Sequence, residues 1–178
     1  MKIDQVLKRI KKEELIQLTQ DLIRIPSVRR QEVGGNEREV ALFVAHLLEE
    51  IGLDVVVEEV EPGSPNVMGV LQGQSEGPCL MFECHTDVAT EGDTTQWKYP
   101  PFEGRLIGNR IYGRGACDTK GNLAAALKAI QGISQSGIPF KGKILLGILV
   151  DEEGMMSGVK HFIRQGWAND IQAAIICE

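Results

Sequence analysis

The run Ile144-Leu145-Leu146-Gly147-Ile148-Leu149-Val150 contains no polar side chain and ends directly at the acidic triplet Asp151-Glu152-Glu153. A helical pattern of apolar residues precedes it over Asp118–Ser134, and a short helix is predicted after it, around Ser157–Gln165. A last apolar run, Ala173–Cys177, follows that helix. Because buried strands that alternate with helices are typical of parallel pairing, this part of the chain predicts an α/β fold with a largely parallel sheet covered on both faces.

The N-terminal half begins with two predicted amphipathic helices. The first covers Ile3–Ile25, with Lys11 as the candidate point for a break, and stops at the proline that follows. The second opens at Asn36 with Glu39 three residues later, in the manner of a capping box. Four short β-type runs then follow, separated by glycine and proline: Leu53–Val60, Asn66–Leu71, Cys79–Cys84 and Leu106–Tyr112.

The composition excludes several classes of protein. With 19 Lys and Arg against 25 Asp and Glu, the chain carries a net charge of −6, which argues against binding nucleic acid through phosphate contacts. Its longest apolar run is far shorter than the roughly 20 residues of a membrane span. The charged N-terminus lacks the apolar core of a secretory signal, so we expect no membrane association and a cytoplasmic location.

Potential metal ligands stand directly after the apolar runs. His85 follows one run, the acidic triplet follows another, Glu178 follows the last, and Asp118 opens a predicted helix after a Gly-Arg-Gly turn. Ligands of open α/β sheets bind beyond the carboxyl ends of the strands. Each residue alone has an ordinary explanation, as a hydrogen-bonded histidine, a helix cap or a solvated strand end. Their repetition at equivalent positions favours a site for zinc or a similar divalent ion.

The local spacings suit hydrolysis. His85 and Asp87 are two residues apart, so in extended backbone they project to the same side, where the carboxylate can orient a ligating imidazole. Glu152 and Glu153 are adjacent and point in different directions. One of them can bind a metal ion while the other takes a proton from the attacking water, which is the division of work that amide hydrolysis needs.

Four stretches resemble the co-catalytic di-zinc amidohydrolases, the family of acetylornithine deacetylase, succinyl-diaminopimelate desuccinylase, aminoacylase and glutamate carboxypeptidase. They occur in the family's order: Phe82-Glu83-Cys84-His85-Thr86-Asp87-Val88, Pro100-Pro101-Phe102-Glu103-Gly104, Tyr112-Gly113-Arg114-Gly115-Ala116-Cys117-Asp118-Thr119-Lys120-Gly121 and Asp151-Glu152-Glu153-Gly154. The resemblance implies a three-layer sandwich with a mixed, mostly parallel sheet covered by helices. The chain departs from the family's pattern at Cys84, Thr119 and Asn122, none of which would be a metal ligand.

The resemblance also assigns metal ligands. It makes His85 a ligand of the first zinc, Asp118 the carboxylate that bridges both zinc ions, Glu153 a ligand of the second zinc and Glu178 the remaining ligand of the first. It implies two zinc ions in a complete site, with cobalt or manganese as alternatives. It further implies a cis peptide bond between Asp118 and Thr119.

In the same way, the resemblance makes Glu152 the general base and Asp87 the carboxylate that orients His85. In this family a glutamate at the position of Glu178 accompanies deacylases and carboxypeptidases, so the expected activity is hydrolysis of the amide bond of an N-acyl amino acid or small peptide. Two alternatives stay open: a di- or tripeptidase of the same family, and a truncated metal-binding remnant without turnover.

The resemblance covers about the first half of the family's architecture. We therefore expect residues 1–178 to be the N-terminal part of a metallohydrolase catalytic domain, without the inserted dimerisation domain and the C-terminal catalytic part. On this view the isolated chain is inactive, and a homodimer is possible in the complete enzyme. The family's histidine for the second zinc would lie in the lacking part. His46 and His161 lie in predicted helices and are interpreted as structural or surface residues.

A nucleotide hydrolase is the strongest rival class, because an apolar strand that ends in Asp151-Glu152 also resembles the magnesium-binding strand of P-loop ATPases. A P-loop requires Gly-Lys followed by Ser or Thr. In the nearest glycine-rich stretch Lys120 precedes Gly121 instead, so the sequence does not support nucleotide binding.

Overall fold

The computed structural model describes residues 2–29 and 36–178. Its helices are α1 (Lys2–Leu7), α2 (Lys12–Arg24), α3 (Arg38–Glu50), α4 (Lys120–Ser136) and α5 (Ser157–Arg164). Its strands are β1 (Asp54–Glu61), β2 (Ser64–Gln72), β3 (Ser75–His85), β4 (Arg105–Ile107), β5 (Arg110–Tyr112), β6 (Lys141–Leu149) and β7 (Ile171–Ile176).

Five strands form a mixed sheet in the order β1-β2-β6-β3-β7, and β4 and β5 form a separate hairpin. β3 pairs in parallel with β6 on one side and with β7 on the other. β2 runs antiparallel to both β1 and β6. The predicted α/β fold with a mixed sheet covered by helices is therefore confirmed, but in the described residues the sheet is not mostly parallel, because β2 pairs antiparallel with both of its neighbours. The parallel part, formed by β3, β6 and β7, carries the candidate site.

The two faces of the sheet bury separate apolar clusters, which explains why the run 144–150 has no polar residue. Ile144, Leu146 and Ile148 point to the face covered by α2, α3 and α4. Leu145 and Leu149 point to the opposite face, where Phe162 of α5 packs against them. A strand that is buried on both sides cannot alternate between apolar and polar residues.

The N-terminal helical segment is interrupted near Lys11, as the sequence indicated, because α1 ends at Leu7 and α2 begins at Lys12. The capping box predicted from Asn36 and Glu39 is wrong, since α3 begins at Arg38 and no side chain caps it.

The carbonyl of Gly63 accepts the backbone N–H of Arg38 at 2.9 Å, so another part of the chain satisfies one of the free donors at the start of α3. The predicted run Leu106–Tyr112 is likewise divided, because the chain turns at Gly108 with φ of 59° to form the β4–β5 hairpin. Within residues 2–29 and 36–178, no helix has the length and apolar character needed to cross a membrane.

Candidate active site

The candidate site lies at the carboxyl edge of the three parallel strands. His85 is the last residue of β3, the central strand of the three, and Glu178 comes two residues after β7. The acidic triplet follows β6, and Asp118 reaches the same edge from the turn before α4. These side chains converge because β6 and β7 lie on either side of β3, so the carboxyl ends of the three strands meet at one edge of the sheet.

His85, Asp118 and Glu178 form a cluster in which one potential ligand atom from each lies within 4.8 Å of the others. The Nε2 atom of His85 is 3.0 Å from Oδ1 of Asp118 and 3.6 Å from Oε2 of Glu178. Ligand atoms of a tetrahedral zinc ion, with bonds of about 2.0–2.1 Å, lie about 3.3 Å apart. The three side chains thus fit the spacing of one such ion, with His85 buried and both carboxylates exposed.

Asp87 connects the two halves of the site. The Nδ1 atom of His85 lies 2.9 Å from the backbone oxygen of Asp87 and 3.5 Å from its carboxylate, which favours the tautomer that leaves Nε2 free to bind a metal. The carboxylate of Asp87 also accepts the backbone N–H groups of Glu152 and Glu153, both at 3.0 Å. Burial raises the pKa of this fully buried carboxylate, but the contact with His85, followed by the two N–H groups, lowers the pKa by more.

Glu152 and Glu153 diverge, as their adjacency predicted. Oε2 of Glu152 lies 4.0 Å from Nε2 of His85, beside the three-residue cluster. Glu153 points elsewhere, and its Oε1 accepts the backbone N–H of Ala89 at 3.2 Å. Among the described residues it is not part of the cluster, so its role as a ligand of a second metal ion stays a prediction.

The carboxylates around His85 change the proton affinities of the site. Burial lowers the pKa of His85, but the neighbouring carboxylates, with Asp87 foremost, raise it by more, from 6.5 to about 9. Burial raises the pKa of Glu152, and the charge of Glu178 adds to that rise against the opposing effect of His85. Glu152 is therefore a better proton acceptor than an ordinary surface glutamate.

The turn before α4 fixes Asp118 in place. The peptide bond between Asp118 and Thr119 is cis, as predicted. The hydroxyl of Thr119 donates to the backbone carbonyl of Cys177, the residue before Glu178. The residue after Asp118 is thereby hydrogen-bonded to the residue before Glu178, which links the segments that carry two of the clustered carboxylates.

Lys120 is a feature of the site that the sequence analysis missed. Its side chain is fully buried, and its ammonium group donates to the carbonyl of Ile25 at 2.6 Å. Burial lowers its pKa from 10.5 to about 7. The motif around Asp118 contained this lysine, but a sequence pattern does not show that a lysine points into the protein. Its contact fastens the start of α4 to the segment after α2.

His46 and His161 lie outside the cluster, as the sequence interpretation held. His46 of α3 is exposed, with Nε2 3.4 Å from Glu50 on the same helix. His161 of α5 lies 3.3 Å from Glu58 of β1.

The raised pKa of His85 predicts that metal binding depends on pH. A metal ion must displace the proton from Nε2, so the apparent zinc affinity should increase about tenfold per pH unit between about pH 6.5 and 8, below the pKa of about 9. Calorimetric titration at several pH values, in two buffers with different ionisation enthalpies, should detect release of about one proton per zinc ion. An affinity that does not change over this range would contradict the assignment of Nε2 as a ligand.

The raised pKa of His85 also predicts that the metal-free chain becomes less stable as the pH rises, whereas its affinity for zinc increases. Because the folded pKa of His85 lies above its unfolded value of 6.5, protonated His85 stabilises the folded chain. This contribution is fully present below pH 6.5 and is lost as the pH rises through about 9.

Comparison with known families places the chain. The model of peptidase family M20/M25/M40 matches residues 81–178, more than half of the chain and the part that contains every candidate site residue. The chain belongs to this family. The resemblance inferred from the four motifs is thereby confirmed, since the M20 family is the metallopeptidase family to which they point.

Several solved structures share the fold, two of which are described as M20 family proteins. An M20 family metallo-carboxypeptidase from Sulfolobus solfataricus matches with a TM-score of 0.76 and 24% identity over 94% of this chain and 37% of that one. The di-peptidase Dug1p from Saccharomyces cerevisiae matches with a TM-score of 0.80 and 18% identity, over 98% and 40% of the two chains. YXEP of Bacillus subtilis is described as a dinuclear metal binding peptidase of the M20 family. It matches with a TM-score of 0.62 and 19% identity, over 92% of this chain and 42% of that one.

The M20 chain described here spans less than half the length of these structures. Among residues 2–29 and 36–178, one group of three potential metal ligands is found, formed by His85, Asp118 and Glu178.

Proposed function

We propose that residues 1–178 are the N-terminal part of the catalytic domain of a zinc-dependent M20 hydrolase, which cleaves the amide bond of an N-acyl amino acid or small peptide. The observation that carries the proposal is the convergence of His85 Nε2 with Asp118 at 3.0 Å and Glu178 at 3.6 Å. Membership of the M20 family supports it.

His85, Asp118 and Glu178 would hold the zinc ion, which when bound would supply polarisation of the amide carbonyl and a lower pKa for the attacking water. Asp87 accepts the Nδ1–H of His85 and holds the ring so that Nε2 faces Asp118 and Glu178. Glu152 accepts the proton of the attacking water at its carboxylate and delivers it to the nitrogen of the leaving amine. The raised pKa of Glu152 suits both steps. It makes the carboxylate a better acceptor of the proton from water, and the resulting carboxylic acid can still release that proton to the amine.

The finer specificity that we propose is that of a deacylase or carboxypeptidase. It rests on Glu178, since the family pairs a glutamate at that position with those activities. The activity of the dipeptidase Dug1p keeps a dipeptidase as the alternative within the same family.

Hydrolysis of two matched substrate sets tests the proposal. The complete enzyme, prepared with zinc, should release amino acid from N-acetyl amino acids faster than from unblocked dipeptides with the same C-terminal residue. Removal of the metal with a chelator should abolish turnover, and added zinc should restore it. Faster cleavage of the dipeptides would replace the deacylase assignment by the dipeptidase one, and no cleavage of either set by the zinc-loaded enzyme would refute the proposed hydrolysis.

A further inference from the structure

The turn that carries Glu152 and Glu153 is held by a buried carboxylate, that of Asp151, which the sequence suggested only as a member of the acidic triplet. Asp151 is fully buried and has φ of 63°, a left-handed conformation that is unfavourable for a residue other than glycine. Its carboxylate accepts the backbone N–H groups of Met155 at 3.2 Å and Ser157 at 3.1 Å. The next residues are packed so closely that a side chain at Gly154 would collide with this carboxylate.

Arg29 supplies the positive charge for this carboxylate. Its Nε atom lies 2.8 Å from Oδ1 of Asp151 in an ion pair, and its Nη2 atom donates to Oε2 of Glu61 of β1 at 2.6 Å. The carboxylate of Glu37 lies further away, at 3.9 Å. A buried carboxylate that loses its cation is strongly destabilised, because neither water nor another charge compensates it. The conformation of Asp151 therefore depends on Arg29.

The opposite side of the same turn is fastened by Asp87, through the N–H groups of Glu152 and Glu153. Glu152 thus lies between two hydrogen-bonded carboxylates. Asp87 is beside the cluster of His85, Asp118 and Glu178, and Asp151 is beside Arg29. Displacement of either anchor would move Glu152 relative to His85, from which it is 4.0 Å away.

We propose that Arg29 is a positioning residue for Glu152 and Glu153, acting through Asp151. The effect of Arg29 on catalysis rests on the proposed function, whereas its effect on the conformation of the turn does not. Arg29 is remote in sequence from both glutamates and comes from the segment after α2, which is attached to the site by the bridge between Val28 and Val88. The N-terminal segment thereby fixes the geometry of a turn more than a hundred residues later.

Amide hydrogen exchange of the 178-residue chain, followed by NMR, tests the structural part. Arg29→Ala should speed exchange at Glu152, Glu153, Met155 and Ser157 by about tenfold or more, while β3 and β6 keep their protection. Arg29→Lys, which keeps a positive charge, should show a smaller change. Arg38→Ala is the matched control, since it removes an ion pair of 2.6 Å to Glu59 on the exposed surface and should leave the turn unchanged.

Turnover of the complete enzyme tests the catalytic part. Arg29→Ala should lower kcat by about 10–100-fold with little change in KM, because a misplaced catalytic group slows the chemical step. Arg29→Lys should recover part of kcat. A wild-type enzyme without hydrolytic activity would refute the proposed function and leave the exchange experiment to decide the role of Arg29.

Exchange that is unchanged at the turn in Arg29→Ala would overturn the proposal. So would an equal increase throughout the sheet, because that pattern would show a general loss of stability. If Arg29→Ala does not fold, Arg29→Gln and Arg29→Lys provide the comparison, and the two should differ at the turn if charge compensation of Asp151 is what matters.

Discussion

Replacing Glu152 by alanine is expected to lower kcat of the complete enzyme by about 10²–10⁴-fold, the range that general acid–base catalysis contributes. The metal content should stay unchanged, because the three potential ligands that converge are His85, Asp118 and Glu178. Glu152 lies beside them, with Oε2 4.0 Å from His85 Nε2, close enough to accept a proton from a water molecule held at the cluster. Steady-state kinetics and metal analysis on the same preparation would measure both quantities.

Glu153→Ala is the matched comparison, because the two glutamates are adjacent in the chain but point to different surroundings. We expect Glu153→Ala to weaken binding of the second metal ion and to lose activity that excess metal restores in part. Excess metal should not restore Glu152→Ala. Equal metal loss in the two variants would refute the assignment of Glu152 as the base.

The sequence was sufficient for the positions that lie on strands. The run 144–150 predicted a strand buried on both faces, and residues that follow such strands come together at one edge when the strands are parallel neighbours. His85 and Glu178 meet for this reason. The cis bond after Asp118 was accessible only through the resemblance, because no pattern of residue types specifies a cis peptide at a non-proline residue.

The sequence did not predict which residues, distant in the chain, contact the buried charged side chains. Asp151 was interpreted only as part of an acidic strand end, yet it is buried against Arg29, a residue far away in the chain. The Asn36–Glu39 capping box is wrong because α3 begins later, at Arg38, whose N–H is bound by the carbonyl of Gly63 from a distant part of the chain. Local patterns identify groups that need a partner, whereas the topology of the fold decides which partner they receive.

The second large effect is expected from His85→Ala in the 178-residue chain. The wild-type chain should bind about one zinc ion, as the three-residue cluster provides the ligands of a single site. Loss of a residue that only hydrogen-bonds to a zinc ligand weakens zinc binding by about 10–100-fold. Loss of the ligand itself should therefore weaken zinc binding by more than about 100-fold. Metal analysis after dialysis and competition with a chromogenic chelator would measure the stoichiometry and the affinity.

His46→Ala is the control for this experiment, because His46 is an exposed histidine that pairs with Glu50 on its own helix and should leave the zinc content unchanged. Asp118→Ala and Glu178→Ala should each reduce the affinity as well, since each removes one of the atoms within 4.8 Å of the others. A wild-type chain that binds no zinc, or a His85→Ala chain that binds it equally well, would show that the cluster is not a metal site. Zinc loss in all three ligand variants but not in His46→Ala would instead establish that the first site forms from this chain alone.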